Sequence, residues 1–398
     1  MKRLINSELG TIFVIMGLAS LAMAVLNPIM PLYLTSLDVV PSLIGLMLAV
    51  SMVGMVFGES SGGWLADKIG LKIPMGVGTF FCVPLVLCFV FTRGTPALFL
   101  TFLFWGIVRA GIFGPARGFI GNTATLSNKA TIIAVYMTSL TLSRSLGSLV
   151  SGFMADNLGY HADFYLSAGL SVLAGALLII RLRKIPMWKT APKTAPESLA
   201  GVNQPARPAV NYRLVALQST LATLMFMGIG VNSFLPLLGT EIVGVDATQV
   251  GILYTVGGLV SAALFIPLGR LADRRNKKVI IILGMLFTAC GLAGLAFVRE
   301  YALLMVMVII SNIGFTLFTP AAVAMLSNNL PVYWQGTAMG IYGAAEDIGI
   351  IIGTGAGGFV WTAGGPTALY LMGSIAVAAG AVICLAFVKD LAAKKSLA

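Results

Sequence analysis

Charged side chains are scarce in this chain of 398 residues: 10% are charged, whereas 58% are hydrophobic. A soluble protein of this size needs more charge to cover its surface, so most of the chain must face lipid or other protein segments. The net charge of +11 would suggest a nucleic-acid partner in a soluble protein. Here the basic residues lie in short loops between apolar runs, which is typical of membrane topology, and we expect no nucleic-acid binding.

The residue types that build catalytic and metal sites are equally sparse. The one histidine, His161, falls in a predicted loop, and the four cysteines lie in apolar runs without the spacing of a metal site or a disulfide framework. There is no GxxxxGK[ST] loop to bind ATP. We therefore expect no catalytic residues, no metal and no cofactor. A membrane-embedded enzyme or a sensor is the alternative from another functional class, but the acids are dispersed and no added soluble module is found.

Apolar runs of the roughly 20 residues that a bilayer requires recur along the chain. They predict an all-α integral membrane protein with twelve transmembrane helices, at 9–36, 42–65, 73–92, 96–123, 130–155, 161–182, 213–239, 248–269, 278–298, 301–326, 333–361 and 366–388.

Lysine and arginine are distributed unequally between the two sets of predicted loops. The loops on the side of the N-terminus hold most of them, whereas the opposite loops hold Arg93 and Arg299 together with acids such as Asp156 and Asp163. The positive-inside rule then places both termini in the cytoplasm, for a multi-pass protein of the inner (plasma) membrane.

The chain divides into two related halves. Residues 183–212 contain five prolines and no apolar period, which predicts a cytoplasmic linker between a six-helix bundle at 1–182 and a second one at 213–398. An offset of 206 residues aligns several pairs between the halves: Asp67 with Asp273, Tyr136 with Tyr342, Gly147 with Gly353, and Gly152-Phe153 with Gly358-Phe359. Parallel six-helix repeats of this kind are typical of transporters.

One repeated motif carries a family resemblance. The first copy, GWLADKIGLK, contains Gly63, Asp67, Lys68, Gly70 and Lys72; the second, GRLADRRNKK, contains Gly269, Asp273, Arg274, Lys277 and Lys278. With this motif in the loop after the second span, the sequence resembles major facilitator superfamily (MFS) transporters over essentially its whole length, and in particular bacterial drug/proton antiporters.

The resemblance implies a function for the motif. It implies that the two loops lock the bundles together at the cytoplasmic side, with Asp67 and Asp273 as lock residues and Lys68, Lys72 and Arg274 as helpers. The other interpretation is that these charges only anchor the topology.

Several charges fall inside predicted spans, where each is costly and is a functional candidate by default. Arg109 lies about 20 Å into span four, and the resemblance implies a role in proton coupling or anion binding in a central cavity. The alternative for Arg109 is a structural salt bridge. Glu59 and Arg117 lie nearer the cytoplasm and are predicted to pair as part of the gate.

Spans five and eleven supply the other candidates for proton coupling, Arg144, Glu346 and Asp347. Glu346 shares a helix face with Gly349 and Gly353, which predicts a close helix neighbour. A desolvated carboxylate there can take up and release a proton during a transport cycle. The alternative is a permanent salt bridge between the bundles.

Polar and aromatic residues at the depth of a central cavity are candidates for substrate contact. Asn27 and Asn232 precede the matched prolines Pro31 and Pro236 in spans one and seven. With Arg109 they form part of a predicted lining whose other members are Phe113, Tyr254, Asn312 and Tyr342. Each of the polar residues is either a substrate contact or a partner of a neighbouring helix.

These observations predict secondary active transport by alternating access, and no enzymatic activity. We expect proton-coupled efflux of an amphipathic or drug-like compound; the alternative is proton-coupled import or exchange of a small organic anion. The expected partners are a small-molecule substrate, protons and the lipid bilayer, and the chain is expected to act as a monomer.

Overall fold

The computed structural model describes residues 8–69, 72–123, 129–182 and 210–388, and within these ranges all regular structure is helical. We number twelve long or separate helices in chain order: α1 (Glu8–Ala24), α2 (Ile29–Ser36), α3 (Pro41–Ile69), α4 (Lys72–Phe91), α5 (Thr95–Thr123), α6 (Lys129–Leu158), α7 (Tyr160–Leu182), α8 (Tyr212–Val231), α9 (Ala247–Arg274), α10 (Lys277–Leu295), α11 (Tyr301–Asn328) and α12 (Val332–Phe387). Most of the predicted linker, 183–209, lies outside the described residues.

The helices make twelve crossings, as the sequence predicts. Helices α1 and α2 together form the first crossing, and the short helical segments between Asn232 and Val243 extend α8 to complete the seventh. Helix α12 contains two crossings, because Gly365 has a φ of 72° that interrupts it directly before Pro366. In the described residues ten stretches are long and apolar enough to span a membrane; α12 counts once among them, and the more polar α6 is not included. At 30 residues, α6 is about 45 Å long, which is enough to cross.

The crossings define two ends of the molecule. We call the end that holds Glu8 and Phe387 the termini side, and the opposite end the far side. Helices α3, α9 and the second half of α12 begin at the far side, whereas α6 ends there.

The first and seventh crossings are both interrupted, at positions that the repeat relates. Residues 25–28 form a turn between α1 and α2, and Pro28 cannot donate the hydrogen bond that would continue the helix. In the second half, Pro236 leaves the Asn232 carbonyl without its usual helical donor, and this oxygen instead accepts from the Leu235 N–H and, at 3.3 Å, from the Tyr254 hydroxyl. An asparagine lies at each break, Asn27 in the first half and Asn232 in the second.

Aromatic packing fixes the segments beyond both breaks. The Tyr33 ring on α2 meets the Phe164 ring edge-on with centroids 4.9 Å apart, and its hydroxyl donates to the Phe89 carbonyl at 2.5 Å. In the second half, Phe234 stacks on Trp361 at 5.7 Å. These buried rings hold the interrupted helices in one position.

The two halves meet through glycines near the far side. A Cβ at Gly45 would collide with the Thr354 carbonyl, and one at Gly358 would collide with the Pro41 carbonyl, so α3 and α12 approach backbone to backbone. Helices α6 and α9 pack in the same way, with Gly152 against Ala247. Such close approach is typical of small residues at membrane helix contacts.

An aspartate reinforces this contact. The Asp156 carboxylate at the end of α6 accepts from the backbone N–H groups of Ala247 and Thr248, at 3.1 and 2.7 Å, and from the Thr248 hydroxyl at 2.5 Å. It therefore caps the positive N-terminus of α9, which belongs to the other half. The far side is closed by these two helix pairs.

Candidate functional site

A cavity of about 390 Å³ lies between the two halves. Its walls come from helices of both halves, and it lies beneath the closed far side. The lining residues are Asn27, Met30, Pro31, Leu48, Ser51, Met52, Trp105, Arg109, Ile229, Asn232, Ser233, Leu235, Leu253, Tyr254, Gly257, Val308, Ser311, Asn312, Phe315 and Thr354. A mostly apolar lining with a few polar groups is typical of small-molecule sites of this size.

The interrupted helices bring Asn27 and Asn232 to the cavity from opposite halves. The Asn27 side chain is exposed, and the Asn232 Oδ1 is buried without a hydrogen-bond partner in the described residues. A buried amide oxygen without a donor is costly. It marks a position where a ligand can supply the missing hydrogen bond.

Arg109 lies at the middle of the 29-residue helix α5 and lines the cavity. Its guanidinium carbon is 4.5 Å from the centroid of the Trp105 ring, one turn earlier on the same helix. The buried Nε has no hydrogen-bond partner in the described part of the chain. A cation–π contact stabilises by about 0.5–2 kcal/mol, and an arginine at the centre of a span costs about 2.5–3.5 kcal/mol on insertion scales. The ring thus offsets only part of that cost.

Trp105 is a cavity residue that was not among the candidates from the sequence. The available signal was its position four residues before Arg109, which places both side chains on one face of α5.

Tyr254 and Asn312 line the cavity and also hold neighbouring helices together. Asn312 donates from Nδ2 to the Val308 carbonyl at 2.8 Å, and its Oδ1 accepts from the Ser261 hydroxyl at 3.3 Å. Tyr254 donates to the Asn232 carbonyl. Both expected roles, cavity lining and helix bonding, therefore occur together in these residues.

Two predicted lining residues lie elsewhere. Phe113 and Tyr342 are not among the described residues that line the cavity, and both are buried in the hydrophobic core, at 9% and 3% exposure. Phe315 supplies an aromatic wall instead, with its ring 5.7 Å from that of Phe226. Depth along a helix can be read from the sequence, but the rotation that directs a ring into the core depends on packing.

The charges of spans five and eleven do not line this cavity. Glu346 and Asp347 are half-buried and Arg144 is exposed. Glu346 lies eight residues, or about 12 Å, nearer the termini side than the lining residue Thr354. The predicted helix neighbour of this region is α8, because Cβ atoms at Gly349 and Gly353 would meet the carbonyls of Thr223 and Met227.

The repeated motif lies on helix ends rather than in loops. Helix α3 continues to Ile69 and α9 to Arg274, so both copies begin inside a helix. The Leu-Ala-Asp sequence that follows each glycine contains helix-favouring residues, which explains the extension. In the first copy, Lys68 is exposed and Gly70 lies outside the described residues.

The predicted cytoplasmic gate stays largely untested, because most of its side chains lie outside the described residues. The side chains at the following predicted gate positions lie outside the described part: Gly63, Asp67, Lys72, Arg117, Asp273 and Arg274. Glu59 is half-buried, so its predicted pairing with Arg117 stays a prediction.

Asp163 was expected in a loop and is instead buried. It lies in the first turn of α7 with 0% exposure, and its carboxylate lies beside the Ser151 hydroxyl of α6 without a hydrogen bond of good geometry in the described ranges. Ser167 and Ser171 follow at intervals of four and are also buried, and Ser167 donates to the Ala22 carbonyl at 2.7 Å. This polar stripe at helical spacing was the signal that the loop assignment missed.

Comparison with known proteins agrees with this architecture. The family model described as Major Facilitator Superfamily matches residues 12–299 and 219–397. An uncharacterized MFS-type transporter of Methanocaldococcus jannaschii is 22% identical over 349 residues, covering 85% of this chain and 87% of the relative. The quinolone resistance protein NorA of Staphylococcus aureus is 22% identical over 352 residues, covering 87% of this chain and 88% of NorA.

Solved structures share the fold at low identity. A POT family transporter in complex with a thioalcohol-conjugated peptide has a TM-score of 0.80 at 12% identity and covers 96% of both chains. The chain is a multi-pass membrane protein, and it is a transporter of small molecules and not an enzyme. It belongs to the Major Facilitator Superfamily.

Proposed function

We propose that the chain exports an amphipathic, drug-like compound across the plasma membrane in exchange for protons, by alternating access. The observation that carries the proposal is the cavity between the two halves, closed at the far side by glycine-mediated helix pairs. A binding site between two halves that meet at one end is the arrangement from which rocking exposes the site to alternate sides.

The predicted topology gives this state a direction. With both termini in the cytoplasm, the closed far side faces outward, and the cavity is loaded from inside. On the termini side, Cβ atoms at Gly269, Gly340 and Gly343 would meet no atom of the described residues within 4 Å. An exporter collects its substrate in a state that is closed to the outside and open to the cytoplasm. The relative named as a quinolone resistance protein supports an efflux function at 22% identity.

Proton coupling is assigned to Glu346 and Asp347, with Arg144 and Arg109 as the cations that respond to their charge. The assignment rests on the position of the two acids, about 12 Å or less from the cavity residue Thr354. Helix α12 packs on α8 through Gly349 and Gly353, and α8 leads directly into Asn232. A change of charge on α12 therefore acts on the helix that carries a cavity residue.

Flux into proteoliposomes tests the proposal. Uptake of a panel of fluorescent amphipathic compounds, with cationic, neutral and anionic members, is measured with and without an imposed pH gradient. We expect the gradient to drive accumulation in the wild-type protein. Glu346→Gln or Asp347→Asn should abolish that accumulation and preserve counterflow, because exchange needs no net proton movement.

Glu300→Gln is the matched control, since Glu300 is an exposed acid at the start of α11 whose side chain makes no cap hydrogen bond. It should behave as wild type. Flux that ignores the gradient, with both α12 variants behaving as wild type, contradicts proton coupling and indicates a facilitator or an exchanger.

A further inference from the structure

The cavity has an unbalanced charge. Arg109 carries the only charge among the described residues that line it, and the other lining side chains are amides, hydroxyls, thioethers, aromatic rings and aliphatic groups. A cation at the centre of a membrane protein is stable only when paired or solvated. The cavity therefore favours an occupant that brings a negative charge.

Within the described residues, Arg109 has one identified contact and one vacant donor. The Trp105 ring covers one face of the guanidinium, and the buried Nε has no hydrogen-bond partner. A guanidinium whose face is covered still presents its N–H groups along its edge. That edge matches the two oxygens of a carboxylate or a similar anion.

On the first half the Ser51 hydroxyl and the Trp105 Nε1 also lack a partner in the described residues, and a further vacant group lies on the other half. The Asn232 Oδ1 is buried without a donor in the described part of the chain, and its helix is held in place by the Tyr254 hydrogen bond to the Asn232 carbonyl. The oxygen can only accept, so its partner must be a hydroxyl, an amide or another N–H donor. Met30, Leu48 and Phe315 provide apolar wall around these polar groups.

We propose that the transported compound is an amphipathic organic acid, whose anionic group binds the edge of Arg109 and whose hydrogen-bond donor binds the Oδ1 of Asn232. This inference rests on the proposed function and names its substrate class. The cavity volume of about 390 Å³ sets the size, at the lower end of the range for drug-like ligands. An organic cation of the same shape would face Arg109 with a like charge and is excluded.

The occupant also links the two halves, because Arg109 lies on α5 and Asn232 follows α8. A ligand that binds both groups stabilises the arrangement in which they are at the right separation. It thus changes the relative stability of the two access states by its differential affinity for them.

Binding to the purified full-length protein in detergent tests the proposal with four naphthalene probes of one skeleton. These are 6-hydroxy-2-naphthoate, 2-naphthoate, 2-naphthamide and 2-naphthylmethylammonium, with dissociation constants from titration calorimetry. We expect the acids to bind at least about tenfold more tightly than the amide and the ammonium compound. A hydrogen bond between charged groups in a buried site strengthens binding by at least that factor. The hydroxy acid should bind more tightly than the plain acid.

Substitutions assign these preferences to the two side chains. Arg109→Gln should remove the preference for acids, whereas Arg109→Lys should keep a reduced one because the charge remains. Asn232→Leu should remove only the advantage of the hydroxy acid. Arg299→Gln is the matched control, since Arg299 is exposed and lies outside the cavity. The lysine variant keeps the test decisive if the glutamine variant does not fold.

Three results overturn the inference: equal or tighter binding of the ammonium compound, an acid preference that survives in Arg109→Gln, or no binding of either acid at millimolar concentration. The binding assay uses no membrane gradient, so its result is independent of proton coupling. Acid preference together with flux that ignores a pH gradient would leave this inference standing and refute the coupled efflux. Gradient-driven flux without acid preference would support the coupled efflux and refute the organic-acid substrate.

Discussion

Asp156 and Asp163 lie seven residues apart at the far side, in opposite environments. Asp156 is exposed and accepts three hydrogen bonds from the start of α9, whereas Asp163 is fully buried beside the Ser151 hydroxyl and accepts no hydrogen bond of good geometry within the described residues. The same side chain thus stabilises a contact between the halves in one position and leaves an unsatisfied polar group in the other. Residue type alone does not separate these two cases.

The two aspartates should respond differently to the same substitution. Asp156→Asn is expected to destabilise the protein by about 1 kcal/mol, because it weakens charge-assisted bonds to a helix N-terminus at an exposed site. Asp163→Asn is expected to leave stability unchanged or to raise it, because asparagine removes a buried charge and its amide can still pair with the Ser151 hydroxyl. Thermal unfolding in detergent measures both. Equal losses for the two variants would show that the Asp163 carboxylate has a stabilising partner.

At the scale of helices, glycines determine which pairs can touch. A Cβ at Gly152 would overlap the Ala247 carbonyl, and one at Gly353 would overlap the Met227 carbonyl, whereas a Cβ at Gly269 would meet no described residue within 4 Å. The first contact joins the two halves, and the second joins α12 to α8 within one half. Under the proposed alternating access, only the contact between the halves has to open and close.

Gly152→Val should therefore shift the protein away from the state with a closed far side. Its side chain would collide with the backbone of α9, which cannot move without separating the halves. Labelling of Asn27→Cys by an impermeant maleimide, in a background with the four native cysteines changed to serine, measures access to the cavity from the far side.

We expect faster labelling from the far side for Gly152→Val and an unchanged rate for Gly269→Val, which adds the same side chain where there is room. An unchanged rate in Gly152→Val, with the protein folded, would mean that the glycine contact does not control the opening.

For the whole molecule, the open question is which side of the membrane each end faces. The charge of the loops predicts the answer, and the answer decides whether the closed far side faces outward. Lysine and arginine predict a cytoplasmic position for both termini. The division into 1–182, 183–212 and 213–398 also stays a prediction, because most of the linker lies outside the described residues.

Reporter fusions test this orientation. Green fluorescent protein joined after Ala398 should fluoresce, because both termini are predicted to lie in the cytoplasm, where the reporter folds. Alkaline phosphatase inserted at Gly94, in the far-side loop between α4 and α5, should be active, and the same reporter at the C-terminus should be inactive. The reverse pattern would invert the topology and, with it, the proposed direction of loading.

The membrane class, the twelve crossings and the boundary at Pro366 follow from the sequence by itself, whereas the break before Pro28 interrupts the span predicted at 9–36. Each depends on local properties, namely the apolar length of a segment and the backbone donor that proline lacks. Placement of Asn27 and Asn232 near the cavity was also accessible, because the two asparagines precede prolines that the repeat matches, Pro31 and Pro236.

Only the tertiary structure decided which side chains face the cavity and which end is closed. Phe113 turned into the core and Trp105 joined the cavity because the rotation of α5 is set by its neighbours. The closed far side depends on groups distant in sequence, such as Asp156 and Thr248, which lie 92 residues apart. Contacts between residues so far apart in sequence form only when helices pack, and the sequence of one helix does not specify which other helix it packs against.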